Sequence, residues 1–193
     1  QVIAACRQSS DALDGLNVRV SDGVEVGSAD GVLELVTRLG DRHLDWLINN
    51  AGILQADSLE NLDFDGMTRQ FRINTLGPLR VTSALLDRLS VGSKVGIVTS
   101  RMGSIEDNTS GGYYGYRLSK AAVNMAGMSL SRDLHERGVA VILLHPGMVA
   151  TEMTGRQGIP VAQAATGLIA RMDELDMNST GTFWHAEGEQ LPW

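Results

Sequence analysis

The residue pair in this sequence best suited to acid–base chemistry is Tyr116 and Lys120, in Tyr-Arg-Leu-Ser-Lys. In a helix, positions four apart lie on one face, so the ammonium of Lys120 would lie near the phenol of Tyr116. A free phenol has a pKa of about 10 and is a poor proton donor or acceptor at neutral pH. A neighbouring cation favours the phenolate, so this spacing is typical of a tyrosine general acid or base. A solvated lysine beside a core tyrosine is the other explanation of the same spacing.

Polar side chains follow two apolar segments that are expected to form buried strands. Ser100 follows Val95–Thr99, and Asn49–Gly52 (Asn-Asn-Ala-Gly) follows Leu44–Ile48. In open α/β sheets the ligand crevice lies outside the carboxyl ends of the strands. We therefore expect Ser100 to donate a hydrogen bond to a substrate oxygen, with Ser104 as the second choice. A turn or cap at the strand end is the alternative role for such a serine.

A further polar residue, Asn74, interrupts a helical pattern that runs from about Phe64 to Leu89. An amide at that position could kink the helix or hold a water molecule. A solvent-facing asparagine is the alternative.

Short apolar segments alternate with helical patterns along the whole chain. The predicted strands are Val2–Cys6, a weaker one at Val24–Val26, Leu44–Ile48, Val95–Thr99, Val139–Leu144 and Thr182–His185. The predicted helices are a segment through Val32, Leu35, Val36 and Leu39, then Phe64–Leu89, Tyr113–Arg137 and Pro160–Leu175. Continuous apolar strands separated by helices indicate a parallel sheet covered on both faces. The predicted fold is one doubly wound, Rossmann-type α/β domain spanning residues 1–193.

Composition narrows the class of partners. The net charge of −7 argues against nucleic acid, because phosphate contacts require clustered lysine and arginine. With one cysteine, Cys6, no intrachain disulfide is possible, which fits a reducing compartment. No apolar run approaches the ~20 residues needed to cross a bilayer, and no signal segment opens the chain. We therefore expect a cytoplasmic protein with no membrane segment and no metal site.

Several motifs in one order carry a family resemblance. They are Asn50-Ala51-Gly52, Asn74, Ser100, Tyr116 with Lys120, and Pro146-Gly147-Met148-Val149-Ala150-Thr151. Together they resemble the classical short-chain dehydrogenase/reductase family, and the resemblance runs from Gln1 to Trp193. The approach to the tyrosine at Asn108–Gly112 and the final Gly188–Trp193 are similar to the C-factor-like branch of that family.

The resemblance implies a role for each catalytic residue. Tyr116 would be the general acid in carbonyl reduction and the base in alcohol oxidation, and Ser100 would bind and polarise the substrate oxygen. Lys120 would lower the pKa of the tyrosine and hold the ribose hydroxyls of the nicotinamide. Asn74 would anchor a water in a proton relay.

The resemblance also implies a set of cofactor contacts. Asn50, Ala51 and Gly52 would pass beside the adenosine end of the cofactor. The segment from Pro146 and Gly147 to Thr151 would close over the nicotinamide, with the Val149 backbone and Thr151 near its carboxamide.

The choice between NAD and NADP rests on the end of the second strand of the family fold, which is the first in this chain. An acidic residue there would accept the ribose 2′-hydroxyl of NAD and repel a 2′-phosphate. Here Cys6 is followed by Arg7, whose guanidinium can pair with phosphate. We therefore expect NADP(H), with an exposed loop charge as the alternative role of Arg7. Glu25 and Val26 occupy the place where the family contacts adenine.

The sequence lacks the strand and Gly-rich turn with which the family fold begins. That turn and the helix after it receive the cofactor pyrophosphate, and about 30 residues would be needed for all three elements. In the family strand order the first strand lies between Val2–Cys6 and Leu44–Ile48. We therefore expect the chain to be part of a longer protein and to bind cofactor poorly by itself. A truncated protein that is rescued by a rearranged sheet or by a partner is the alternative.

Substrate and assembly are predicted only in outline. Met102, Tyr113, Met148 and Met153 could line an open apolar pocket for a carbonyl compound or secondary alcohol, or could fill the core instead. The resemblance implies a homodimer or homotetramer. One competing hypothesis is a non-catalytic signalling or regulatory protein with the same fold, since fold does not fix function. Another is a nucleotide-binding fold with a different chemistry, in which Tyr116→Phe would leave activity intact.

Overall fold

The computed structural model describes all 193 residues and consists of six strands and six α-helices joined by short turns. The strands are β1 (Ile3–Ala5), β2 (Arg19–Ser21), β3 (Trp46–Asn49), β4 (Lys94–Val98), β5 (Ala140–His145) and β6 (Thr182–His185). The helices are α1 (Asp11–Asp14), α2 (Ala29–Leu39), α3 (Phe64–Asn74), α4 (Leu76–Ala84), α5 (Tyr114–Asp133) and α6 (Val161–Glu174). None of the helices combines the length and apolar character that a bilayer crossing requires.

Strands β3 to β6 form one parallel sheet in chain order. Alternate residues of β5 are buried on opposite faces: Val141 packs with Val123 of α5, while Ile142 packs with Met172 of α6. Because both faces are covered by helices, the strands read as continuous apolar runs. Gly96 allows α6 to pack closely against the sheet, because a Cβ there would lie 2.6 Å from the Met172 sulfur. The predicted doubly wound, Rossmann-type α/β fold is confirmed.

Strands β1 and β2 form a separate parallel pair, with Ile3 opposite Arg19. β1 pairs only with β2, and β3 pairs only with β4, so each has a free edge. A groove of about 1410 Å³ lies between them, lined by residues of both strands. Its lining includes the apolar side chains of Ile3, Leu47 and Val81. The additional strand that the sequence predicts beside β1 and β3 stays a prediction.

The predicted strand at Val24–Val26 is wrong, because the second strand lies earlier, at Arg19–Ser21. Gly23, with φ of 75°, turns the chain just after β2. Val24 is buried in the cluster formed with α2 and α4, and its N–H donates to the Cys6 carbonyl at 2.9 Å. Its apolar character therefore reflects packing in a turn, not a strand.

The predicted helix Phe64–Leu89 is divided. α3 ends at Asn74, α4 begins at Leu76, and a 3₁₀ turn follows at Leu86–Arg88. Pro78 lies four residues after Asn74 and has no N–H to donate to the Asn74 carbonyl. The kink predicted at Asn74 is confirmed.

Candidate active site

Ser100, Tyr116 and Lys120 meet at the carboxyl end of β4. Ser100 directly follows Thr99 at the end of that strand, and Tyr116 lies in the first turn of α5. All three are more than 90% buried as residues, and Ser100 lies close enough to Tyr116 for its hydroxyl to lower the pKa of the phenol. The Lys120 Nζ is 5.7 Å from the centroid of the Tyr116 ring. Ser104, the second choice, instead accepts a hydrogen bond from the Asp107 N–H in the following turn, at 3.0 Å.

Burial controls the charge states of this group. It raises the pKa of Tyr116, and the nearby Ser100 hydroxyl acts in the opposite direction. Burial also lowers the pKa of Lys120 to about 8. The Lys120 ammonium donates to the Val98 carbonyl at 3.0 Å, which fixes it beneath the strand end. In the protein alone desolvation is the larger effect on Tyr116, so a lowering of its pKa by Lys120 stays a prediction.

Asn74 ties the loop after β3 to the catalytic helix. Its Oδ1 accepts from the Ile53 N–H at 2.8 Å, and its Nδ2 donates to the Ile53 carbonyl at 2.8 Å and to the Ser119 hydroxyl at 3.0 Å. The residue is 1% exposed, so the solvent-facing alternative is wrong. Pro78 leaves the Asn74 carbonyl without its α-helical donor. That oxygen is suited to bind a water, as the relay hypothesis requires.

The segment Asn50-Ala51-Gly52 brings backbone close to Asn74 and Lys120. A Cβ on Gly52 would lie 3.3 Å from Asn74 Oδ1 and 3.5 Å from Lys120 Nζ. A larger side chain there would therefore crowd the lysine. Asn50 and Ala51 are exposed and line the groove between β1 and β3.

Residues 146–151 form a compact loop at the end of β5, on the same edge of the sheet as Ser100. Gly147 has φ of 81°, and a Cβ on it would lie 3.3 Å from His185 Nε2. The Val149 carbonyl accepts from the Thr151 N–H at 2.8 Å and from the Thr154 hydroxyl at 2.5 Å. The loop that the sequence assigns to the nicotinamide therefore lies at the same edge of the sheet as Ser100, with Pro146 at its start.

At the other end of the site, Arg7 lines a pocket of about 420 Å³ together with Arg69 of α3. Two guanidinium groups at one pocket suit a phosphate. Arg69 was not found from the sequence, although it lies five residues before Asn74 on the helix that flanks the site. The Glu25 carboxylate accepts from the Gly27 N–H at 2.9 Å within its own turn. The adenine contacts of Glu25 and Val26 stay predictions.

A second residue that the sequence did not reveal is Asp57, in the loop between β3 and α3. Its carboxylate accepts from the backbone N–H groups of Tyr114 and Gly115, the second at 2.9 Å, at the start of α5. The sequence contained only an indirect indication of it. The residue before α5 is Tyr113, at a position where Ser, Thr, Asp or Asn usually caps the helix.

The residues expected to line the substrate pocket are only partly covered. Tyr113, Met148 and Met153 are 39%, 53% and 47% exposed, so the alternative that they fill the core is wrong. Met102 is partly buried beside Ser100, whose hydroxyl accepts from its N–H at 3.1 Å.

Comparison with known proteins gives matches over most or all of the chain. The model of the short chain dehydrogenase family matches residues 1–160. The 1-hydroxy-2-glutathionyl-2-methyl-3-butene dehydrogenase of Rhodococcus sp. (strain AD45) is 47% identical over an alignment that covers 100% of this chain and 88% of that protein. The C-signal protein of Myxococcus xanthus is 46% identical, over 78% of this chain and 93% of its own. This second likeness supports the predicted C-factor-like branch.

Solved structures agree with the sequence matches. The NADPH-bound carbonyl reductase from chicken fatty liver superposes with a TM-score of 0.87 at 28% identity, over 99% of this chain and 87% of that one. A carbonyl reductase from Pseudomonas aeruginosa PAO1 in complex with NADP gives 0.86 at 31% identity, over 100% and 88%. By fold, motifs and sequence identity, the chain belongs to the short-chain dehydrogenase family.

Proposed function

We propose that this protein transfers a hydride between NADP(H) and a carbonyl compound or secondary alcohol, with Tyr116 as the general acid or base. The observation that carries the proposal is the meeting of Ser100, Tyr116 and Lys120 at one buried strand end. The bound nicotinamide supplies or accepts the hydride. The remaining chemistry is the protein's: holding the substrate oxygen and moving one proton.

The protonation state of Tyr116 fits the acid role in reduction. Because burial raises its pKa, the phenol keeps its proton at neutral pH. Ser100 donates a hydrogen bond to the substrate oxygen, and Tyr116 gives that oxygen its proton as negative charge develops there. The Lys120 ammonium and a water on the Asn74 carbonyl then return a proton to Tyr116. In oxidation the same groups act in reverse.

The preference for NADP(H) is supported by Arg7 and Arg69 at one pocket and by the NADP(H)-bound structural neighbours. Removing one guanidinium from a phosphate loses a charge-assisted hydrogen bond. Arg7→Ala should therefore weaken NADPH binding by roughly 10- to 100-fold and NADH binding by no more than about 3-fold. Arg132→Ala, an exposed arginine near the end of α5, is the control. Equal losses for both cofactors in Arg7→Ala would contradict the preference.

We also propose that the groove between β1 and β3 receives an additional strand followed by a Gly-rich turn, which would complete the sheet and hold the pyrophosphate. Two free parallel edges and an apolar lining support this. The residues proposed to hold the nicotinamide lie in this chain, whereas the pyrophosphate turn would come from the added segment. Residues 1–193 alone should therefore bind NADPH at least about 100-fold more weakly, in calorimetric titration, than a protein in which such a strand and turn fill the groove. Equal affinity would contradict the proposal.

A homodimer through α3 and α5 is the proposed assembly. The two helices pack together and leave large apolar side chains exposed, among them Phe64, Phe71, Leu118 and Met125. Met125→Glu should convert the dimer to monomer in sedimentation experiments, whereas Ile169→Glu on α6, also exposed, should not. A monomeric native protein would contradict this assembly. A tetramer through Thr182–Trp193 would appear as a species of twice the dimer mass.

A second candidate function is signalling without catalysis. It is favoured by the 46% identity to the protein named C-signal. Mixing the native gene product with NADPH and a panel of carbonyl compounds distinguishes the two functions. The panel should include the ketone or aldehyde of a glutathionyl alcohol, because the name of the Rhodococcus relative contains such an alcohol. Substrate-dependent NADPH oxidation supports the reductase. Bound NADPH with no oxidation across the panel supports the signalling role.

A further inference from the structure

The catalytic helix α5 begins without a cap of its own. Its N-cap residue, Tyr113, has φ of 52° and ψ of 40° and makes no side-chain hydrogen bond to the helix. Gly111 and Gly112 before it have φ of 64° and 63°, so three consecutive residues are left-handed. The first N–H groups of any α-helix lack partners within the helix. Those of α5 must therefore be satisfied by another part of the chain.

Asp57 supplies these partners from a different loop. One carboxylate oxygen accepts from the Tyr114 N–H and the other from the Gly115 N–H, at 2.9 Å. The Asp57 backbone carbonyl accepts from the Tyr113 N–H at 3.0 Å. Three successive residues at the start of the helix are thus bound to one residue. The next residue in the chain is Tyr116.

The loop that carries Asp57 is itself anchored near the cofactor segment. It starts directly after Gly52, which lies against Lys120. The Ile53 N–H and carbonyl are both bonded to the Asn74 amide, and the Gln55 N–H donates to the buried Gln70 side chain at 2.9 Å. Asp57 therefore connects a fixed loop to the first turn of α5.

We propose that Asp57 is a positioning residue that sets the first turn of α5, and with it the hydroxyl of Tyr116 relative to Ser100. The inference rests on the proposed reductase function. Without the carboxylate, the first turn loses two acceptors and the strained Tyr113 conformation loses support, so the phenol leaves its reactive geometry. The cofactor contacts proposed for Arg7 and for the loop 146–151 lie on other elements and are retained. The expected signature is a fall in kcat with little change in cofactor affinity.

Three variants of the native gene product test this inference. Asp57→Ala removes both acceptors, whereas Asp57→Asn keeps one. Asp63→Ala is the matched control, because Asp63 lies in the same loop and caps α3 by accepting from the Gly66 N–H at 2.9 Å. We expect Asp57→Ala to lower kcat by about 10- to 100-fold, with Kd for NADPH within about 2-fold. Asp57→Asn should recover at least half of the loss on a logarithmic scale, and Asp63→Ala should stay within about 3-fold of wild type.

Amide hydrogen exchange provides a readout that needs no activity. The amides of Tyr114, Gly115 and Tyr116 should exchange at least about 10-fold faster in Asp57→Ala and at the wild-type rate in Asp63→Ala. Equal loss of kcat in both alanine variants, or unchanged exchange at these amides in Asp57→Ala, would overturn the proposal. If wild-type protein reduces no carbonyl while exchange changes as expected, the helix-positioning part stands and the reductase function fails.

Discussion

The Lys120 ammonium lies 5.7 Å from the centroid of the Tyr116 ring and donates its hydrogen bond to the Val98 carbonyl, not to the phenol. Both groups are buried, and burial shifts their pKa values in opposite directions: that of Tyr116 upward and that of Lys120 down to about 8. Near neutral pH the pair is therefore a protonated phenol beside a buried ammonium that is close to losing its proton. In this state the phenol carries the proton that reduction of a carbonyl requires.

Lys120→Met should stabilise the protein while abolishing activity. Burying the charged lysine lowers its pKa by about 2.5 units from 10.5, a penalty of about 3 kcal/mol at pH 7. The unfolded chain binds more protons between pH 8 and 10.5, so the wild-type free energy of unfolding gains a rising contribution across that window. Lys120→Met also loses the hydrogen bond to Val98, so we expect the free energy of unfolding in urea to increase by a net amount of about 1–2 kcal/mol at pH 7. The increase in stability of the wild type between pH 8 and 9.5 should be absent from the variant.

Lys94→Met is the control for this prediction, because Lys94 is the only other lysine. Its ammonium donates to the Met172 and Asp173 carbonyls near the end of α6, both at 2.8 Å. Lys94→Met should destabilise the protein, and its free energy of unfolding should still increase between pH 8 and 9.5. A Lys120→Met protein that is less stable than wild type at pH 7 would show that the burial penalty is small.

His145, the last residue of β5, should make the protein acid-sensitive. Burial lowers its pKa to about 4, helped by repulsion from His185, Arg101 and Lys120. The unfolded chain binds the proton from about pH 6.5 downward, so stability falls as the pH drops from 6.5 to 4, by roughly 3 kcal/mol. His145→Gln should flatten that limb of the stability curve. His43→Gln, at a half-exposed histidine, should lose stability at low pH as the wild type does. Equal acid sensitivity of the wild type, His145→Gln and His43→Gln would show that His145 is not the cause.

Gly103 is expected to be intolerant of any side chain. A Cβ there would lie 2.7 Å from the Lys120 backbone carbon and 2.9 Å from its carbonyl oxygen, so the loop after Ser100 and α5 would have to separate. Gly103→Ala should cost about 1–3 kcal/mol and lower kcat by at least about 10-fold. Gly15→Ala is the control, since its nearest atom would be 3.3 Å away and far from the site. Wild-type kcat in Gly103→Ala would mean that this contact does not position Lys120.

The central strands were largely predictable because β4 and β5 are buried almost throughout. Val95–Thr99 and Val139–Leu144 read as continuous apolar runs for that reason, and the structure places β4 and β5 there. Val24 misled the prediction because a single buried valine in a turn has the same composition signal as a short strand. The break between α3 and α4 was foreseen at Asn74, but the cause, Pro78 at the position of the missing donor, was not.

The candidate site was predictable where one element brings residues together and hidden where two distant loops do. Tyr116 and Lys120 share a helix face, and Ser100 is marked by the strand end before it. Asp57 and the helix start that it caps are separated by 57 positions, and a lone acidic residue in a polar loop carries no periodic signal. Arg69 was missed for a similar reason, because its neighbourhood with Arg7 exists only after folding.

Tyr116→Phe in the native gene product is the sharpest test of whether Tyr116 transfers the proton. Tyr114→Phe, two residues away on the same helix, is the control. Carbonyl-dependent oxidation of NADPH should fall by at least about 100-fold in Tyr116→Phe, with NADPH affinity within about 3-fold of wild type, and stay near the wild-type rate in Tyr114→Phe. Carbonyl reduction by Tyr116→Phe at the wild-type rate would contradict the account.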